Sequence, residues 1–144
     1  MEPFVQNSES FLSIKDWSNQ HPNLLAGFTT KSGGISNPPF HSMNTAFHVC
    51  DLKDNVKKNR HLLADQIDFS VESWIGAEQT HEDVIIKIDN SYAGRGALDY
   101  ETALKATDGL YTKESGLLLT LCFADCVPVF FVAPKYQLVG IVHA

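Results

Sequence analysis

Three residues with the chemistry of metal ligands stand at the ends of apolar runs. His81 follows Gln79-Thr80 just past the run Trp74–Ala77, Cys126 closes Phe123-Ala124-Asp125-Cys126 between two runs, and His143 ends Val139-Gly140-Ile141-Val142-His143. Strand ends are where a sheet can bring residues distant in sequence together. Two imidazoles and a thiolate suit Zn²⁺, and three protein ligands with a fourth position left to water is the pattern of a catalytic zinc. Such a metal lowers the pKa of its bound water to about 7. The same spacings fit other readings. The three can be packed core residues near strand ends, or Cys122 and Cys126, spaced Cys-x₃-Cys, can join both histidines in a closed structural site. Within the run Leu117–Phe123 a small buried apolar side chain is the simpler account of Cys122.

The elements that must position these residues are read from apolar periodicity. Residues 1–21 form a mixed segment around Phe11-Leu12-Ser13-Ile14 and Trp17, a short strand or helix leading in, and Leu24–Thr30 has strand-like content. Lys31-Ser32-Gly33-Gly34-Ile35-Ser36-Asn37-Pro38-Pro39 is dense in turn formers and reads as a loop. A helix follows Asp51, capped by Asp54, with Val56, Leu63 and Ile67 on its inner face and Lys57, Lys58 and Asp65 outside. Trp74–Ala77 and Val84–Ile88, separated by Glu78-Gln79-Thr80-His81-Glu82-Asp83, read as a hairpin. Residues 89–106 read as a long exposed loop, a lid or a mobile segment. Strands then follow at Gly109–Thr112, Leu117–Phe123, Val127–Val132 and Leu138–His143.

Composition bounds the functional classes. A chain of 144 residues with 44% hydrophobic and 19% charged residues is of single-domain length and can bury a sizeable core. Eleven basic against seventeen acidic residues give a net charge of −6, and the longest basic run is Lys57-Lys58, so no nucleic acid is expected as partner. The apolar runs are strand-length, short of the roughly 18 residues of a membrane helix, so no membrane is expected either. Three cysteines, Cys50, Cys122 and Cys126, make an odd count with no disulfide framework. With no secretory leader at the N-terminus, the expected setting is reducing and cytoplasmic.

Seven short motifs stand in one order from about Leu25 to the last residue. They are Gly27-Phe28-Thr29-Thr30-Lys31-Ser32-Gly33-Gly34-Ile35-Ser36, Ser42-Met43-Asn44, Asn59-Arg60, Gln79-Thr80-His81, Thr107-Asp108-Gly109-Leu110, Ala124-Asp125-Cys126-Val127-Pro128 and Val142-His143-Ala144. Together they resemble the YfiH-like family, also called the multicopper polyphenol oxidoreductase or laccase-domain family, whose bacterial members are described as purine nucleoside phosphorylases. The resemblance implies an α/β (α+β) fold, a mixed-sheet sandwich, and a metal site made of His81, Cys126 and His143. It also implies a zinc-dependent enzyme of purine nucleosides, which phosphorolyses adenosine, inosine, guanosine and methylthioadenosine and deaminates adenosine. Its partners would be the small-molecule nucleoside and phosphate.

On that reading Asp125 assists as an acid or base, although a turn residue between strands explains it equally. Asn44 and Arg60 carry over as substrate-binding candidates, beside plainer readings as a loop-capping amide and a solvated helix residue. Lys31 stands where the family commonly has Arg. It keeps the charge for a phosphate but loses the planar fork. Family members also continue past Val-His-Ala, so residues 1–144 read as a single YfiH-like domain truncated at its C-terminus. His143 would then lie on a fraying end, on a strand lacking neighbours, which favours self-association or a missing C-terminal half. Three alternatives stand beside the zinc enzyme. They are a copper-dependent (Cu²⁺) polyphenol oxidoreductase, since His₂Cys also suits copper, a hydrolase using a Cys126–His143 dyad, and an inactive fragment or binding module.

Overall fold

The structure is a computed structural model that describes residues 2–144. The chain folds as two compact units, one ending at Asp68 and the other formed by Phe69–Ala144.

In the first unit, β1 (Phe4–Gln6), β2 (Phe11–Ile14) and β3 (Gly27–Thr29) form an antiparallel meander with Phe4 opposite Ile14 and Leu12 opposite Phe28. The Asn7 side chain accepts from Ser13 N at 3.0 Å and closes the first turn. The leading segment is therefore both strand and helix, since α1 (Lys15–Gln20) follows β2 directly. The longest helix, α2 (Lys53–Ile67), is built mainly of good helix formers and buries Val56, Leu63 and Ala64 along one face, while Lys57, Lys58 and Asp65 are exposed as expected. Its start differs from expectation. Leu52 is the N-cap and Asp54 lies inside the first turn, where a negative charge faces the partial positive charge of the helix end without capping it. The helix ends at Asp68, whose left-handed φ of 51° returns its N–H to the Ala64 carbonyl.

In the second unit, β4 (Trp74–Gly76) pairs in parallel with β7 (Leu118–Thr120). A four-stranded sheet runs in the order β5 (Ile85–Ile88), β6 (Gly109–Thr112), β9 (Leu138–His143), β8 (Pro128–Ala133). The β5–β6 pair is parallel and the other two are antiparallel. Ile75, Ile88, Leu104, Leu110 and Ile141 form the buried core of this unit. The apolar runs Trp74–Ala77 and Val84–Ile88 are therefore not a hairpin. Each pairs with a later strand, and the six polar residues between them exceed the tight turn that a two-residue hairpin needs.

Residues 89–106 are not a free lid. Two short 3₁₀ turns punctuate them, and Gly94 N–H to Trp74 O, Gly76 N–H to Arg95 O and Leu104 N–H to Gly76 O fasten them along β4. Ala97, Ala103 and Leu104 are buried. The strand carrying His143 also differs from expectation. β9 is flanked on both sides, the backbone of Ala144 exchanges two hydrogen bonds with Val127, and the sheet edges are β5 and β8 instead. Those edges carry exposed apolar side chains, Ile85 at 54% and Phe131 at 48%.

Candidate metal centre

The three candidate ligands come from two connections and one strand end of the second unit. His81 sits on the polar segment between β4 and β5, Cys126 on the segment between β7 and β8, and His143 on the last residue of β9. One ligand atom from each lies within 4.8 Å of the others. Bonds of ~2.0–2.3 Å keep any two ligands of one zinc less than about 4.6 Å apart, so this spacing is close to what a single ion demands. The imidazoles of His81 and His143 stand edge to face with centroids 4.6 Å apart, and Phe123 packs edge to face on His143 at 5.4 Å. His81 is exposed, Cys126 is half-buried and the His143 side chain is almost fully covered, so the cluster opens to solvent on the His81 side.

The residue that organises this cluster is Asp108, just before β6. Its carboxylate accepts from three successive backbone amides, Thr80 N–H at 3.1 Å, His81 N–H at 3.1 Å and Glu82 N–H at 3.0 Å, and from the Thr80 hydroxyl at 3.3 Å. Its Oδ1 also lies 2.9 Å from His143 Nδ1. Such convergence of consecutive amides is an anion-binding concavity, and here the anion is a side chain of the same unit. It requires His81 to adopt the left-handed conformation, φ 63°, at a cost on the order of 1–3 kcal/mol that the charge-assisted bonds offset. Burial pushes the Asp108 carboxyl up, but the Glu82 amide, His143 and the Thr80 and His81 amides outweigh it and hold the group well below the ordinary carboxylate range.

Two further contacts lock the parts together. His143 N–H donates to the Asp108 carbonyl at 2.8 Å, which pins the end of β9 to the start of β6. Gly109 stands there because a Cβ would meet Ile85 Cγ1 at 2.8 Å and Val142 Cγ2 at 3.1 Å. Asp125 lies beside the cluster with Oδ1 4.0 Å from Cys126 Sγ. Cys122 is not among the clustered ligand atoms; its backbone N–H and carbonyl are both bonded by the Gln79 side chain.

The other candidates, Lys31, Asn44 and Arg60, belong to the first unit. Asn44 turns its amide inward, accepting from Ala46 N–H at 3.0 Å and donating to Asp51 Oδ2 at 2.9 Å. Arg60 is only 5% exposed rather than solvated, with Nε donating to Thr45 O at 2.8 Å and its guanidinium over the Phe47 ring at 4.7 Å. Lys31 is exposed and lines a cavity of about 510 Å³ together with Gly33, Gly34, His41 and Ser42. The Gly34 amide is already bonded to Ser42 Oγ and the Ile35 amide to Asn59 Oδ1, so this glycine loop spends those donors on itself.

Asp108 and Gln79 both stand inside short motifs of the sequence, yet reading side chains for ligand chemistry gave neither a role. The available signal was an acid immediately before a glycine that opens a strand.

Residues 25–144 match the family model described as multi-copper polyphenol oxidoreductase laccase. The chain is 48% identical, over a 145-residue alignment, to purine nucleoside phosphorylase YlmD of Bacillus subtilis, covering 99% of this chain and 52% of that protein. It is 51% identical over 120 residues to the YlmD protein of Geobacillus stearothermophilus, covering 83% of this chain and 44% of that one. The crystal structure of Bacillus licheniformis hypothetical protein YfiH superposes with a TM-score of 0.95 at 51% identity, covering all of this chain and 52% of the other. The chain thus spans about half the length of the curated relatives it matches. With the family model covering most of its residues and these relatives close in sequence and fold, the chain belongs to the multi-copper polyphenol oxidoreductase laccase family, in its mixed α+β YfiH form.

Proposed function

We propose that the chain carries the metal centre of a purine nucleoside-processing enzyme, with His81, Cys126 and His143 as the ligands of one Zn²⁺. The observation that carries this reading is the approach of two imidazoles and one thiol to within 4.8 Å at an opening to solvent. The donor set fits the ion, since zinc takes both nitrogen and thiolate sulfur and a catalytic site uses three protein ligands. The names of the relatives, purine nucleoside phosphorylases, supply the substrate class.

When bound, the metal would supply Lewis acidity toward a substrate oxygen or nitrogen. The remaining work falls to the chain. Asp108 holds the His81 backbone and the His143 ring in place, and Phe123 walls one side of His143 with apolar surface. Asp125, beside Cys126, is the group that moves a proton during attack on the nucleoside. In the first unit, Lys31 offers a cation to phosphate, while Asn44 and Arg60 act by holding the 31–52 loop in shape.

The test is metal analysis of protein purified without added metal, followed by incubation with adenosine or inosine and phosphate and chromatography of the products. Zinc near one per chain with release of free adenine or hypoxanthine is the expected result, and inosine from adenosine would add deamination. Stoichiometric copper with visible absorption and phenol oxidation would overturn the reading in favour of oxidation.

A further inference from the structure

We infer that Asp108 is a positioning residue of this site, whose Oδ1 atom sets the tautomer of His143 and so presents its Nε2 as the ligand atom. The inference rests on the reading of His143 as a ligand and adds the group that selects which ring nitrogen does the work.

The geometry leaves Asp108 one part to play. Both of its oxygens accept from backbone N–H groups, Oδ1 from His81 and Oδ2 from Thr80 and Glu82. A carboxylate so surrounded by donors is an acceptor, and the 2.9 Å contact to His143 Nδ1 is then an Nδ1–H donation. A neutral imidazole with its proton on Nδ1 has a bare lone pair on Nε2. A flip of the ring about Cβ–Cγ would put Cδ2 where Nδ1 stands and lose that bond. The His143 side chain is 6% exposed and that of Asp108 2%, so water does not readily replace it.

The same oxygen serves His81 by a different route. Oδ1 accepts the His81 backbone N–H, so the carbon that carries the first imidazole and the ring of the second are referred to one atom. Asp108 is therefore not merely the partner of one histidine. It fixes the separation of two ligands that lie 62 residues apart in sequence, and it does so from just before β6, the strand that lies between β5, which follows His81, and β9, which carries His143. Carboxylate partners of this kind orient ligating histidines, and their loss typically weakens metal binding 10–100-fold.

The experiment reads the tautomer directly in metal-free, ¹⁵N-labelled protein by two-bond proton–nitrogen correlation at pH 9, with the His143 signals assigned by their loss in His143→Gln. A proton on Nδ1 with Nε2 bare is expected. A bare Nδ1, or a ring protonated on both nitrogens at this pH, overturns the inference. Asp108→Asn is then expected to lose the single tautomer and to bind zinc 10–100-fold more weakly, whereas Thr80→Val, which removes only the hydroxyl bond to Oδ2, keeps the tautomer. If Asp108→Asn fails to fold, the wild-type tautomer decides alone. Absence of zinc binding to wild-type protein would defeat the metal reading, and the Nδ1 proton would still report on Asp108 independently.

Discussion

The side-chain amide of Gln79 closes two hydrogen bonds on the backbone of Cys122, donating from Nε2 to the carbonyl oxygen at 2.8 Å and accepting the N–H at Oε1 at 2.7 Å. A primary amide presents the same donor–acceptor pair as a peptide group, so Gln79 continues by side chain the parallel pairing that β4 and β7 make by backbone as far as Gly76 and Thr120. The consequence is positional. The segment leading to Cys126 is tied to the segment that carries His81, two residues from the clamp.

Replacing Gln79 by Ala removes both bonds and leaves the Cys122 backbone groups to find water. We expect a loss of about 1–3 kcal/mol in urea unfolding. Cys126 should also alkylate faster than in the wild type, measured by mass mapping so that the exposed Cys50 is scored separately. An unchanged Cys126 rate would mean that the clamp does not position the thiol.

Gly109 tests the close approach of β6 to its neighbours. A methyl group there meets Ile85 Cγ1 at 2.8 Å and Val142 Cγ2 at 3.1 Å, so Gly109→Ala must displace side chains of both β5 and β9. The expected destabilisation is about 1–3 kcal/mol by chemical denaturation. If His143 holds the proposed zinc, affinity for the ion should fall as well, because Val142 precedes it.

How far the sequence could be read differs by residue. The strand Gly109–Thr112 was legible to its ends because turn formers and polar residues bound a short apolar run. The pairing of Trp74–Gly76 was not, because its partner lies more than forty residues on and alternation within a strand says nothing about which strand it meets. His81, Cys126 and His143 could be singled out by type, and their approach in space follows from the sheet order. Arg60 and Asn59 were illegible as buried residues. Their polarity is satisfied by loop carbonyls, Thr45 O for Arg60 and Ser42 O and Asn44 O for Asn59, which no local pattern announces.

Asn59 is fully buried, and its amide lies within bonding distance of Ser36 Oγ, Ser42 O and Asn44 O while its Oδ1 accepts from Ile35 N–H at 2.8 Å. Asn59→Leu keeps the volume and strands those partners. A loss of about 3 kcal/mol is expected, since each unsatisfied buried group costs about 1–3 kcal/mol. The measurement is the unfolding midpoint, with Leu62→Ala, at an exposed position of the same helix, as a control within about 0.5 kcal/mol of wild type.

Acid should weaken the first unit through Asp51. Burial pushes its carboxyl up, but hydrogen bonds from Asn44, Ser36 and the Leu52 amide outweigh that and hold the group below its ordinary value. A carboxyl whose folded value is depressed adds stability that is fully present above the unfolded value, about 3.9, and is lost as pH falls through the folded one. Unfolding midpoints of wild type and Asp51→Asn should therefore differ at pH 7 and converge below pH 4. A constant gap across that range would remove Asp51 from the account.

Metal addition gives the last expectation. A ligand that binds only the folded state stabilises it by RT ln(1 + [L]/Kd), about 2.7 kcal/mol when zinc stands at 100 times its Kd. If His81, Cys126 and His143 hold the ion, zinc raises the melting temperature of metal-free wild type, and Cys126→Ser removes most of that rise because a hydroxyl is a far poorer ligand than a thiolate. Cys50→Ser keeps it, since Cys50 lies outside the cluster and is exposed. His143→Ala should lose the rise and also some stability without metal, because the Asp108 oxygen that its ring now occupies is left short of a donor at a buried position. A zinc-dependent rise that survives Cys126→Ser but not Cys50→Ser would place the ion elsewhere in the chain.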